Sequence, residues 1–85
     1  MQDTPLDGFN GRITINPAKM GGKPCIRGMR ITAATVVNCI ADGMSNAEVL
    51  EAYPYLEQPD LDAALKLASA MMDDRFLPVP SLKGA

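Results

Sequence analysis

The sequence predicts a mainly α fold with a small β element: short N-terminal strands followed by a three-helix, helix-turn-helix module. Three observations carry this. Arg12-Ile13-Thr14-Ile15 alternates, with Ile13 and Ile15 on one face, and is stopped by Asn16-Pro17. Gly21–Ile31, GGKPCIRGMRI, crowds three glycines, a proline and three cations into one turn-forming stretch. From Thr32 onward, three apolar runs at helical spacing follow, with start and stop signals between them.

In chain order, residues 1–11 are polar, contain Pro5, Gly8 and Gly11, and read as a flexible arm. Residues 12–75 form the single domain. Its first strand is Arg12–Ile15, and Pro24-Cys25-Ile26 is a candidate second strand closed by a turn at Gly28. Gly21-Gly22 permits positive φ, and Pro24 restricts Lys23 to an extended form. Thr32 is a suitable N-cap for a helix over Ala33–Asp42, with Val36, Val37 and Ile40 as its apolar stripe and Gly43 as its stop.

Ser45-Asn46-Ala47-Glu48 has the spacing of a capping box, with Met44 and Val49 placed as a hydrophobic staple; that helix runs to about Ala52, before Tyr53-Pro54. Tyr55 and Leu56 are read as a plug on the core. A longer helix is predicted from about Pro59 to Asp74, with Pro59 in its first turn and Asp60 and Asp62 near the positive end of its dipole. Its apolar face, Leu61, Ala64, Leu65, Ala68, Met71 and Met72 widened by Ala63, Leu67 and Ala70, exceeds what two short helices can cover. Residues 76–85, with Pro78 and Pro80, read as an extended tail.

Eighty-five residues suit one domain, and a chain this short has a thin stability margin. Covering its leftover apolar surface with a second chain is a reasonable expectation, and a homodimer is the commonest way to do so. No run of about eighteen apolar residues is present, so no membrane span is expected. The N-terminus lacks the pattern of a secretory signal, and Cys25 and Cys39 are read as reduced thiols, so the expected location is cytoplasmic. Residues 1–30 carry five cations against Asp3 and Asp7. Residues 31–85 carry eight carboxylates against Lys66, Arg75 and Lys83. Any attraction to a phosphate backbone must therefore come largely from the N-terminal third.

The segments RITINP, GGKPCIRGMRI, ADGMSNAEVLEAYPYL and Ala63-Ala64-Leu65 together resemble, over about residues 12–72, the family of small bacterial proteins catalogued as domain of unknown function 433. The resemblance implies a homeodomain-like or winged-helix-like fold. It also implies an antitoxin-like DNA-binding regulator that binds and neutralises a nuclease toxin of the PIN type. The chain departs from the family pattern at Met20, at Met29, and at Glu57, where a threonine or serine would cap the third helix; there the cap is expected to move to Gln58 or be lost.

The candidate nucleic-acid contacts are Arg12, Lys23, Arg27 and Arg30, because guanidinium forks suit phosphates. The plain alternative is that Arg27 or Arg30 pairs with Glu48 or Glu51 and pins the loop to the second helix. The candidate partner or dimer interface is Leu67, Met71, Met72, Phe76 and Leu77, where methionine gives an adaptable surface. Gly21-Gly22-Lys23 is followed by Pro24 where a phosphate loop needs Ser or Thr, so nucleotide binding is set aside. With no histidine and scattered carboxylates, no catalytic residue, metal, cofactor or small-molecule substrate is expected, and the chain is not read as an enzyme. The acidic third helix favours a second reading: a protein–protein interaction module with a helix-turn-helix fold that no longer binds DNA.

Overall fold

In the computed structural model, which describes residues 2–73, the chain runs β1 (Thr4–Pro5), β2 (Ile13–Ile15), a 3-10 turn (Met20–Gly22), β3 (Cys25–Ile26), α1 (Ala33–Ala41), α2 (Asn46–Ala52) and α3 (Gln58–Met72). The fold is mainly α, with a three-stranded antiparallel sheet in the order β1-β2-β3. Residues 76–85 lie outside the described part.

One strand was not expected. Thr4 and Pro5 pair with Ile15 and Thr14, so part of the arm is a sheet edge. Proline is tolerated there because an edge residue can leave its missing amide on the solvent side. The arm is also tied by charge: Lys19 Nζ donates to both Asp3 oxygens at 2.9 and 3.1 Å and to the Gly28 carbonyl at 2.6 Å. Asn16 Nδ2 donates to Asp3 Oδ1 at 3.2 Å. The bonds from Lys19 and then Asn16 hold the Asp3 carboxyl below its ordinary value.

β2 and β3 pair through Ile13 with Ile26 and Thr14 with Cys25. This puts both isoleucines on the core face, fully buried. After β3 the chain reverses over Ile26–Met29, where the Met29 amide donates to the Ile26 carbonyl at 2.8 Å. The two central residues, Arg27 and Gly28, have φ of 45° and 73°. Two positive φ angles are the signature of a tight hairpin turn of the primed kind. Glycine tolerates this, but arginine is an uncommon occupant.

The helix ends follow their local chemistry. Thr32 Oγ1 accepts from the Thr35 amide at 3.1 Å and starts α1. Beyond Ala41, Gly43 has φ of 99°, and the amides of Gly43 and Met44 donate to the carbonyls of Ile40 and Cys39. This is the paired closure of a Schellman motif. The capping box of α2 is complete: Ser45 Oγ accepts from the Glu48 amide at 3.1 Å, and Glu48 Oε1 accepts from the Ser45 amide at 2.7 Å. Glu57 occupies the N-cap of α3 in extended conformation, so the cap does not move to Gln58.

The core gathers Ile13, Ile26, Ile31, Val36, Val49, Leu56, Leu61 and Ala64, and α3 packs chiefly on α1. Leu56 is the plug of the α2–α3 connection. Tyr55 is not, being 52 % exposed and set edge-to-face against the half-buried Tyr53, with centroids 6.2 Å apart. A phenol can leave its hydroxyl in water while its ring leans on a neighbour, which an aliphatic side chain has no reason to do.

Candidate functional site

The most concentrated chemistry lies where the turn Arg27-Gly28 meets the start of α3. Asp60, the third residue of α3, is fully buried. Its Oδ1 accepts from Arg12 Nη1 at 2.8 Å and from Arg27 Nε at 3.0 Å. Its Oδ2 accepts from Arg27 Nη2 at 2.8 Å and from the Glu57 amide at 2.9 Å. Burial pushes this carboxyl up, but the bonds from Arg27, Arg12 and the Glu57 amide outweigh it and hold the group below its ordinary value of 3.8. Arg27 Nη2 also donates to the Tyr55 carbonyl at 2.9 Å, and Arg12 Nη1 to Glu57 Oε1 at 2.9 Å. One buried carboxylate thus joins the strand region, the hairpin turn, the α2–α3 connection and α3.

Four cations were candidates for phosphate contact, and the structure divides them. Arg12 and Arg27, with side chains 27 % and 34 % exposed, are held by Asp60. Neither Glu48 nor Glu51 receives Arg27, because the hairpin turn faces the start of α3 and not α2. Lys23 and Arg30 are exposed and have no ion-pair partner among the described residues. The four do not converge on one site.

The apolar candidates are brought together in part. Leu67 and Met71 line a groove of about 250 Å³ between α1 and α3, with Pro24, Ala33, Val37, Ala64 and Ala68 among its other walls. Lys23 is the one charged side chain among its described lining residues. Met72 stands outside it at 61 % exposure, Met71 is 56 % exposed and Leu65 39 %. Phe76 and Leu77 lie outside the described residues. A second, more polar hollow forms beside Arg12, where Lys66 Nζ donates to the Gly8 carbonyl at 3.0 Å and sits 5.6 Å from the Phe9 ring centroid.

Cys25 is 2 % exposed, and burial pushes its thiol up, away from the reactive thiolate. Among the described residues, no group of three or more His, Cys, Asp or Glu side chains is placed to hold a metal ion, and no helix is long and apolar enough to cross a membrane.

Sequence reasoning missed Asp60 as the centre of this arrangement and assigned it only to the helix dipole. The available signal was an acid at the third position of a helix with an apolar residue directly after it, beside arginines lacking a partner in sequence.

Comparison with known proteins bears on the same stretch. No curated protein matches the chain. Among solved structures, the chain is similar to a DUF433 member protein from Anabaena variabilis ATCC 29413, with 33 % identity and a TM-score of 0.70 over 74 % of this chain and 62 % of that one. The chain therefore spans a little under two-thirds of that relative's length. The family model described as a protein of unknown function, DUF433, matches residues 13–68, from the first residue of β2 well into α3 and including Arg27 and Asp60. By that match, over more than half its length, the chain belongs to the DUF433 family.

Proposed function

We propose that this chain is an antitoxin-like interaction module: it binds another protein through the uncovered C-terminal half of α3, and it performs no catalysis. The observation that carries this is the apolar end of α3. Leu65, Met71 and Met72 are all exposed, and Met71 lines the groove together with Leu67 and Ala68. Exposed methionines suit a surface that adapts to a partner. The family resemblance supplies the partner class, a PIN-like nuclease toxin. The test is co-purification of the full chain with the product of the neighbouring gene. Retention that is lost on Leu67→Glu with Met71→Glu supports the proposal, and no retention refutes it.

DNA binding is the second reading, favoured by Lys23 and Arg30, two exposed cations with no ion-pair partner among the described residues. With Arg12 and Arg27 engaged by Asp60, Lys23 and Arg30 offer about two phosphate contacts, which by themselves give a slope of log affinity against log salt of roughly −2 per chain. Retention on its own promoter fragment at low salt, abolished by Lys23→Glu with Arg30→Glu, supports this reading. Unchanged retention in that double variant removes it.

A further inference from the structure

We propose that the hollow between the N-terminal arm and the first turns of α3 is a binding site for a small monocarboxylate with a flat apolar body. The inference goes beyond the protein-binding reading and does not rest on it, because no described residue lines both this hollow and the α1–α3 groove. The hollow holds about 220 Å³, below the roughly 300–1,000 Å³ of pockets that take drug-sized ligands.

Arg12 supplies the recognition. A guanidinium carries five N–H donors, two of them on Nη1. Both acceptors that Arg12 reaches, Glu57 Oε1 at 2.9 Å and Asp60 Oδ1 at 2.8 Å, are bound through Nη1. The edge formed by Nε and Nη2 has no acceptor among the described residues, and it is the edge left for the hollow that Arg12 lines. Two parallel N–H groups on one edge are the shape that a carboxylate takes with both oxygens. Glu57 and Asp60 already hold the guanidinium in place, so a ligand has little ordering left to impose on it.

The rest of the hollow suits one negative charge on an apolar body. Lys66 Nζ uses one of its three protons on the Gly8 carbonyl at 3.0 Å and keeps the others, beside the half-buried Phe9 ring. Pro59 and the buried Ala63 add apolar wall from α3. The arm's side is preformed: Asn10 and Gly11 have φ of 53° and 75°, and the Arg12 amide donates to the Phe9 carbonyl at 2.9 Å, closing a tight turn. Charge limits what enters. Glu57 and Asp60 offset Arg12, and Asp62, whose Oδ1 accepts from Gln58 Nε2 at 3.1 Å, is the acid among the lining residues. A dianion would meet these carboxylates at close range, whereas a single charge meets less repulsion.

The test titrates the isotope-labelled full chain with benzoate at neutral pH, followed by nuclear magnetic resonance at Arg12 Nε–H and the backbone amides of Phe9, Asn10 and Lys66. These signals should move saturably with a Kd of about 1 mM, the range open to so small a ligand. Lys66→Gln, on an exposed position, should weaken binding about tenfold. Asp62→Asn should tighten it about threefold. Arg12→Lys keeps a cation beside Asp60 but has no fork, and should lose saturable binding. Benzamide, the same body without the charge, and inorganic phosphate should each bind at least about tenfold more weakly than benzoate. The absence of a saturable shift with benzoate overturns the proposal. So does benzamide binding as well as benzoate, phosphate binding more tightly than benzoate, or unchanged affinity in both Lys66→Gln and Asp62→Asn, which would place the ligand elsewhere.

Discussion

Asp60→Asn is the sharpest test of how this fold is held. The change is nearly isosteric, so it tests charge and hydrogen bonding more than volume. In the native site, each carboxylate oxygen faces only donors: Arg12 Nη1 and Arg27 Nε at Oδ1, Arg27 Nη2 and the Glu57 amide at Oδ2. An asparagine must turn its own NH₂ towards one of these pairs, and neither orientation avoids donor against donor. Breaking a buried ion pair by removing one partner costs about 3–5 kcal/mol. Both guanidiniums keep some access to water, which places this case at the lower end, about 3 kcal/mol. For a domain of this size that corresponds to a fall in Tm of about 15–20 °C, or about 3 M in urea midpoint at a slope near 1 kcal/mol per M. The assay is urea unfolding followed by far-ultraviolet circular dichroism. Glu57→Gln serves as the comparison, because Glu57 is 58 % exposed and its pair with Arg12 is a surface one. A loss below about 1 kcal/mol for Asp60→Asn, or equal losses for the two variants, would refute the reasoning.

Other expectations follow from the same geometry. Because Asp60 titrates below its ordinary 3.8 when folded, its contribution is fully present above that value and is lost as pH falls through the lower, folded one; acid unfolding below about pH 4 should be shallower in Asp60→Asn, with Asp3 supplying the remaining slope. Gly28→Ala places a Cβ 2.9 Å from Asp3 Oδ2 at φ of 73°, so stability should drop by about 1 kcal/mol from the backbone, and the loss should be smaller in an Asp3→Ala background if the Asp3 contact adds to it. Ser45→Ala removes half of the α2 capping box and should cost about 1 kcal/mol in the same urea assay, against almost nothing for Ala47→Ser. Thiol labelling should modify half-buried Cys39 well before Cys25, whose rate should follow global unfolding.

The helices were legible because their ends are written in local chemistry. Thr32, Gly43, Ser45 with Glu48, and Pro54 act on backbone groups within a few residues, so spacing alone locates them. β2 was legible from alternation, and β3 from the proline and glycine around it. β1 was not, because two residues have no period; it exists through pairing with β2 and through Asp3, which is held by Lys19 and Asn16. The buried Asp60 was illegible for a related reason. An acid in the first turn of a helix is locally sensible in water, and only the arrival of Arg12 and Arg27 from 48 and 33 residues away makes it the centre of the fold. The same distance misdirected the reading of the cations: their types suit phosphate, but two of the four already hold a carboxylate.

Arg27 sits at φ of 45°, where a side chain is disfavoured by about 1 kcal/mol relative to glycine. It stays there because Asp60 holds its guanidinium, so the two positions are interdependent across 33 residues. The strain is worth keeping only while the acid remains. In a chain that has lost the acid at position 60, glycine or asparagine at position 27 becomes the better residue. Arg27→Gly should therefore damage the native protein yet recover part of the stability lost by Asp60→Asn. In sequence drift, these two sites should change together or not at all.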